Sequence, residues 1–452
     1  MRNPEPDSRM TEKRVGISTL GCKVNSFESE LVAQSLARSG WSVVGDKDVA
    51  DLYIVNTCTV TREADRQARQ AVRRVIRRNP AALVVVTGCY AQISPESCAA
   101  IPGVDYVIGN DRKLEIDRLL PGLIKEPVPK IMVGDLDEHV SLPDHLLTGF
   151  EGQTRAFVQV QQGCNQACTF CIIHRARGPS RSLPPTMVKR QVERLAITGY
   201  REIVICGVDL GAYGGDFDPA GEPPYALVDL LEDLCGIDQD FRLRLSSVDP
   251  AHINERLIDL MAGNNRICPQ LHLSLQSGNT LILKRMKRRY GAELIYEKVA
   301  ALRTKIPDLV LSADIMVGFP TENEAQFRDS LRMVTDLAIA YPHVFPYSER
   351  PGTPASRIPE NRQVVAAERK TRAAVLREAG RKVRHNLLRS RVGSRSIVLI
   401  EGGRCPIDGY QKARAADYIE CWLPASENEA GHWANVIYTS VQGDALIARR
   451  AG

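Results

Sequence analysis

The chain has 452 residues, 44% of them apolar, which is long enough for two or three domains with buried cores. No run approaches the ~18 uninterrupted apolar residues of a membrane helix, and the polar start MRNPEPDSRMTEKR lacks a signal-peptide core. We therefore expect a soluble, cytoplasmic protein with no membrane partner; among its twelve cysteines, any that cluster read as metal or redox sites rather than a disulfide framework. The net charge of +5 is small, but it is unevenly spread: residues 369–395 carry ten Lys or Arg against the single acid Glu378. A second basic run, Arg62 to Arg78, holds seven Arg against Glu63 and Asp65. Either run alone is as readily a solvated helix face; together they favour a polyanionic partner.

In chain order, RVGIST, LYIVN, LVVVT and VDYVI are short β-branched runs separated by helical stretches. One helix is expected to start at Asn25, with Glu28 three residues on as a capping-box partner, and to stop at Gly40. Such alternation predicts a parallel α/β sheet over residues 12–125. A Pro- and Gly-containing linker follows, at roughly 120–152. From Phe157 the alternation restarts with AFVQV, EIVIC, RLRLS, LHLSL, VLSADIM and HVFPY, and with helices at 186–198, 225–235 and 324–335. Six βα units predict an open, partial (βα)6 barrel over 150–360, with its chemistry at the C-terminal strand ends. A basic helical connector, 361–391, then leads into short alternating strands over 392–452. These read as a small all-β barrel of the kind that grips single-stranded RNA.

The chemistry is concentrated in QQGCNQACTFCIIHRARG, directly after AFVQV. Cys164, Cys168 and Cys171 sit in one loop, which can wrap three thiolates around a 4Fe–4S cube and leave one iron open for a substrate. Zinc would want a fourth ligand at matching spacing, and His174 is the only near candidate. A second triad is dispersed: Cys22 follows RVGIST, Cys58 follows LYIVN and Cys89 follows LVVVT. Loops after parallel strands emerge on one sheet edge, so these three are expected to converge and hold an auxiliary 4Fe–4S cluster. The alternative is three small, buried strand-end residues. The other six cysteines, Cys98, Cys206, Cys235, Cys268, Cys405 and Cys421, lie singly and read as core.

The CxxxCxxC spacing with Phe170 before its last cysteine resembles the radical S-adenosylmethionine superfamily. Two triads together resemble its methylthiotransferase family. TLGCKVNSFESE, VNTCTVTREADRQARQAVRR and TGCY resemble that family's N-terminal domain; GVDLGAYG, RLSSVDP, LHLSLQSGNTLILKRMKRRY and DIMVGFPTENEAQF resemble its radical core. The C-terminal barrel is similar to its TRAM module. GCKVN and VNTCTVT look most like the branch acting on N6-threonylcarbamoyladenosine (t6A) beside the anticodon of tRNA. His174, where family members often carry proline, departs from the pattern. The resemblance implies an enzyme with two 4Fe–4S clusters and S-adenosylmethionine that inserts a methylthio group at C2 of t6A37. Its partners would be the tRNA anticodon stem-loop and an electron donor such as flavodoxin or ferredoxin. C2 carries an unactivated C–H that no side-chain base could deprotonate, which is why a radical is needed. The resemblance also implies cofactor contacts from Phe170, Gly207, Asp209, Gly211, Ser246, Ser247 and Gly318; turn or packing roles compete for each. Lys284, Arg285, Lys287, Arg288 and Arg289 are candidate phosphate contacts, with a solvated helix face as the simpler reading. The competing functions are a sibling enzyme for isopentenyladenosine or a ribosomal-protein aspartate, a non-catalytic iron–sulfur RNA-binding redox sensor, and a zinc-stabilised RNA-binding protein.

Overall fold

A computed structural model describes residues 13–137, 145–217, 225–426 and 429–451. The N-terminal stretch up to residue 12 and the 138–144 part of the expected linker lie outside the described residues. The chain divides into two compact units, one running to His145 and including Arg175–Arg177, the other Leu146–His174 with Gly178–Gly452.

The first unit is built on a six-stranded sheet. Its strands are β1 (Arg14–Thr19), β2 (Ser42–Val44), β3 (Leu52–Thr57), β4 (Leu83–Gly88), β5 (Tyr106–Ile108) and β6 (Lys130–Met132), in the order β2-β1-β3-β4-β5-β6. Every pairing is parallel. Central β3 is buried along its whole length, as a strand covered on both faces must be. Alternation then sorts its side chains: Leu52 and Ile54 pack with Val32 and Leu36 of helix α1 (Lys23–Arg38). Tyr53 and Val55 pack with Ala68, Ala71, Val72 and Val75 of helix α2 (Arg62–Arg78). The small apolar stripe of α2 faces the sheet, so its arginines point away from the core; Thr61 caps its start by accepting from the Ala64 amide at 3.0 Å.

Two local expectations change. Helix α1 begins at Lys23 with Cys22 as its uncapped N-terminal residue, not at Asn25. Asn25 and Glu28 are buried in the helix and spend their polar atoms on distant partners, which a capping box would have consumed. The 120–152 stretch is also not all linker, because β6 extends the sheet at its edge.

The second unit carries strands β7 (Arg155–Gln162), β8 (Arg181–Ser182), β9 (Glu202–Gly207), β10 (Arg242–Leu245), β11 (Ser247–Val248), β12 (Gln270–Gln276), β13 (Val310–Val317) and β14 (Ile339–Pro346). Parallel pairing runs β7-β9-β10, breaks at Ser246, and resumes β11-β12-β13-β14. With helices such as Pro185–Ile197, Leu227–Cys235 and Glu324–Asp336 between strands, this is an open partial βα barrel. The long helix Ala366–Arg391 leads to strands β15 (Arg395–Ile400), β16 (Tyr410–Ala415), β17 (Glu420–Pro424), β18 (Trp433–Gln442) and β19 (Ala445–Arg450). These close into a five-stranded barrel around Val398, Ile400, Ala413, Leu423, Val436 and Leu446. It is held to the βα barrel by backbone recognition. Arg244 donates to the Ala416 and Ala415 carbonyls at 3.0 and 3.2 Å, and Arg242 to that of Arg414 at 2.9 Å. Both arginines share the fully buried Glu202. Burial alone would raise that carboxyl, but Arg244, Arg242 and Arg155 hold it well below the usual range.

Candidate active site

Within the first unit, the ends of β1, β3 and β4 deliver Cys22, Cys58 and Cys89 to one edge of the sheet. Two glycines let their loops close up. Gly21 has φ +102°, and a Cβ there would lie 2.7 Å from the Cys58 Cβ. Gly88, at φ +95°, would meet the Thr57 carbonyl at 2.4 Å. Cys22 is exposed, Cys58 half-buried and Cys89 buried. Burial, with the neighbouring Cys89 and Cys22 sulfurs, pushes the Cys58 thiol up to about 12. Such a thiol is ionised by bonding to a metal rather than by water.

Beneath Cys89 lies a buried polar assembly with no counterpart in the sequence reading. Arg177, which is 3% exposed, donates from Nε to the Cys89 sulfur at 3.2 Å. Its two terminal nitrogens bond Asn25 Oδ1 and both Glu28 oxygens, one at 3.0 Å. Lys113, 1% exposed, donates to Glu28 Oε2 at 2.5 Å. Asn25 in turn ties Leu20 and Thr57 carbonyls at 2.6 and 3.1 Å, joining the loops that carry Cys22 and Cys58. Burial raises the Glu28 carboxyl, but Arg177 and Lys113 outweigh it and hold it at about 2.

Within the second unit, the loop after β7 turns on Gly163 (φ +72°), where a Cβ would lie 1.7 Å from the Pro179 carbonyl. The Gln166 and Ile173 amides point at the sulfurs of Cys164 and Cys171, both at 3.4 Å. Burial pushes the Cys164 and Cys171 thiols up to about 12 and about 11. The Gln166 side chain spans Asp209 and Asp249 at 3.0 and 3.2 Å, and Asp209 Oδ2 lies 3.8 Å from the Cys164 sulfur. Asp209 is itself fixed by its own amide, which donates to Gln161 Oε1 at 2.8 Å. Arg288 is not a phosphate contact. It is turned inward to Asp249 at 2.6 Å, the Ser274 carbonyl at 3.1 Å and the Cys168 sulfur at 3.5 Å.

The remaining expected cofactor contacts are distributed as follows. Ser247 shares a 2.6 Å hydrogen bond with Ser274, one strand over, and Ser246 is buried at the sheet break. Phe170 packs in an apolar cluster with Ile282, Met286, Met316, Phe319 and Tyr347. Gly207 backs onto Gln161, and Gly211 is pressed against the His252 ring, 2.4 Å from where a Cβ would sit. At Gly318 the space a Cβ would fill is taken by the Arg369 stem, 2.3 Å away, so its close approach serves the protein's own packing. Arg285 reaches Thr321 Oγ1 at 2.7 Å.

Among the described residues, no three His, Cys, Asp or Glu side chains close on a single metal ion. The donors at both triads are all sulfur, and at the second triad backbone amides aim at the Cys164 and Cys171 sulfurs, a donor chemistry of the kind an iron–sulfur cluster takes. The other six cysteines are at least partly buried. Arg177, Lys113, Gln166 and Asp249 escaped the sequence reading because their partners lie far away along the chain, and Arg288 reads as a phosphate contact in the sequence for the same reason. The one local signal was the position of Arg177 and Gly178 just past the cysteine loop.

A three-cysteine loop at the C-terminal end of the first strand of an open βα barrel defines the class: a radical S-adenosylmethionine enzyme, and the model of the Radical SAM superfamily matches residues 158–334. A second model, described as uncharacterized protein family UPF0004, matches residues 14–109. Among solved structures, the radical S-adenosylmethionine methyltransferase TsrM of Kitasatospora setae, with cobalamin and a [4Fe-4S] cluster bound, shares the fold. It is 15% identical at a TM-score of 0.54, over 76% of this chain and 74% of that one. The threonylcarbamoyladenosine tRNA methylthiotransferase MtaB of Rickettsia prowazekii is 40% identical over 86% of this chain and 88% of its own. Its namesake in Aquifex aeolicus is 37% identical over 90% and 98%. The tRNA-2-methylthio-N(6)-dimethylallyladenosine synthase of Staphylococcus haemolyticus is 31% identical over 76% and 67%. The chain belongs to the radical S-adenosylmethionine tRNA methylthiotransferase family, on its threonylcarbamoyladenosine branch. It thus uses an iron–sulfur cluster and S-adenosylmethionine, and its substrate is tRNA.

Proposed function

We propose that this chain converts t6A to its 2-methylthio derivative at position 37 of the tRNA anticodon stem-loop, using two 4Fe–4S clusters. Cys164, Cys168 and Cys171 hold one and Cys22, Cys58 and Cys89 the other. The observation that carries the two-cluster reading is the delivery of Cys22, Cys58 and Cys89 to one sheet edge by three adjacent parallel strands. When bound, the first cluster supplies reductive cleavage of S-adenosylmethionine, and the second supplies the sulfur. The protein's own contribution is placement. Asp209, held by Gln161 and Gln166 beside Cys164, is an acceptor for the methionine ammonium. Gln166 and Arg288 fix Asp249 and the Cys168 sulfur so that the loop keeps one geometry as charge changes. The C-terminal barrel is clamped to the βα barrel through Arg242 and Arg244 and offers a surface for RNA; separately, within the first unit, the exposed arginines of α2 offer positive charge for phosphate. A low-potential flavodoxin or ferredoxin supplies electrons, and the site of action is the cytoplasm, where tRNA matures.

The test is to reconstitute the protein anaerobically and count iron and sulfide in the wild type and in a Cys164/Cys168/Cys171→Ala variant. Two clusters predict about eight and about four irons per chain. Wild-type protein is then given t6A-containing and isopentenyladenosine-containing tRNA. Mass gain of a methylthio group on the first alone supports the t6A reading, and gain on the second overturns it. A variant stripped of all iron overturns the second cluster.

A further inference from the structure

We infer that Arg177 is a positioning residue for the auxiliary cluster: its guanidinium hydrogen-bonds the Cys89 sulfur and supplies the positive charge that sets that cluster's reduction potential. This rests on the reading that Cys22, Cys58 and Cys89 hold iron.

Charge and geometry carry it. Lys113, Arg177 and Glu28 are each almost wholly buried, which leaves two cations facing one anion. Glu28 engages both cations, and Nε of Arg177 is left to point at the Cys89 sulfur at 3.2 Å. Asn110, the other polar side chain near that sulfur at 3.8 Å, is neutral and anchored to the Ala176 carbonyl at 2.7 Å. Arg177 is also over-determined. Asn25 and Glu28 take its other two nitrogens, so the fork is held in one orientation with Nε on the Cys89 sulfur. Hydrogen bonds and positive charge at cluster sulfur favour the more negatively charged, reduced state, and so raise the potential. Arg177 is the cation whose hydrogen bond reaches a sulfur of the triad, whereas the Lys113 ammonium is spent on Glu28. The Arg175–Arg177 segment follows Cys171 by only a few positions in the chain, yet it packs as part of the first unit.

The experiment uses full-length protein in the Cys164/Cys168/Cys171→Ala background, so that any cluster signal comes from the other triad. Iron content, the EPR spectrum of the reduced state and its midpoint potential are read for this background and with Arg177→Met or Arg177→Lys added. The expected result is about four irons per chain throughout, a midpoint displaced to lower potential in Arg177→Met with an altered EPR line shape, and partial recovery in Arg177→Lys. An unchanged midpoint and spectrum in Arg177→Met at full iron content would reduce Arg177 to a packing residue and overturn the proposal. Should Arg177→Met fail to fold, Arg177→Lys decides: retention of charge without the fixed Nε donor must still shift the line shape. A background variant holding no iron refutes the auxiliary-cluster reading itself, a failure that the iron count separates from failure of the Arg177 assignment.

Discussion

Replacing Glu28 by Gln removes the anion from a buried trio while changing its shape little. Glu28 is 5% exposed, and its carboxylate takes hydrogen bonds from Lys113 at 2.5 Å and from both ends of the Arg177 fork. Stranding two buried cations in this way costs about 3–5 kcal/mol, the usual loss when one partner of a buried pair is deleted. For a unit of this size each kcal/mol moves Tm by about 3–5 °C, so the first unit's transition should fall by roughly 10–20 °C. Scanning calorimetry on the full chain reads this directly. Adding Lys113→Met removes one of the stranded charges and should recover about half the loss. The pH dependence supplies a second check. With its folded value held at about 2 against an ordinary 4.5, Glu28 contributes stability that is complete above pH 4.5 and lost as pH falls toward 2. The Gln variant lacks that contribution, so the gap between the two proteins must narrow over this window. A loss under 1 kcal/mol, or a gap that does not narrow in acid, would refute the ion-trio account.

Gly88→Ala should destabilise the first unit by about 2–4 kcal/mol, since it combines a positive φ with a Cβ 2.4 Å from the Thr57 carbonyl; denaturant titration measures this, and bound iron should fall with it as the loops carrying Cys58 and Cys89 part. Arg244→Met leaves Glu202 with one fewer cation and frees the Ala415 and Ala416 carbonyls. The C-terminal barrel should then become sensitive to limited proteolysis near Val392–Arg395, and KM for tRNA should rise at least tenfold while tRNA-independent S-adenosylmethionine cleavage persists. Asp209→Asn removes the acceptor charge beside Cys164 while the amide can keep the Gln166 contact. Iron content should hold and the Kd for S-adenosylmethionine should weaken about tenfold or more, as expected for loss of a charge-assisted hydrogen bond; unaltered affinity by equilibrium dialysis would remove Asp209 from the cofactor site.

The six cysteines proposed as cluster ligands stand out in the sequence for a simple reason. Each follows a strand whose β-branched run is itself readable, and parallel strands present their trailing loops on one edge. The partial barrel and the small C-terminal barrel followed from the same local periodicities. What stayed hidden was every contact set by long-range packing. Asn25 and Glu28 have the spacing of a helix start, and only the fold shows that Arg177 and Lys113, 149 and 85 residues away, claim the Glu28 side chain. Arg288 stands in a run of basic residues that looks like a phosphate-binding face, yet burial beside Cys168 and Asp249 makes it internal.

The same burial revises the basic helix. Of the cations counted toward a polyanionic partner in 369–395, Arg372 is 4% exposed and paired with Glu322 and Glu368, Arg369 bonds the Tyr347 carbonyl, Arg384 pairs with Asp444, and Arg391 with Asp308. Their charge is spent on fixing the helix between the βα barrel and the C-terminal barrel, and it draws little on RNA. Lys370, Lys382, Arg389 and Arg395 are exposed, with Arg381 tempered by its ion pair to Glu378. If each phosphate contact contributes about 0.9 to the salt slope of tRNA binding, this surviving set supports a slope of about 3–4 from the helix, not the 9 that the raw count implies. Lys382→Ala/Arg389→Ala should lower the measured slope by about 2 without touching Tm, and a drop of the same size on mutating Arg372 with the fold intact would show that the buried cations still reach RNA.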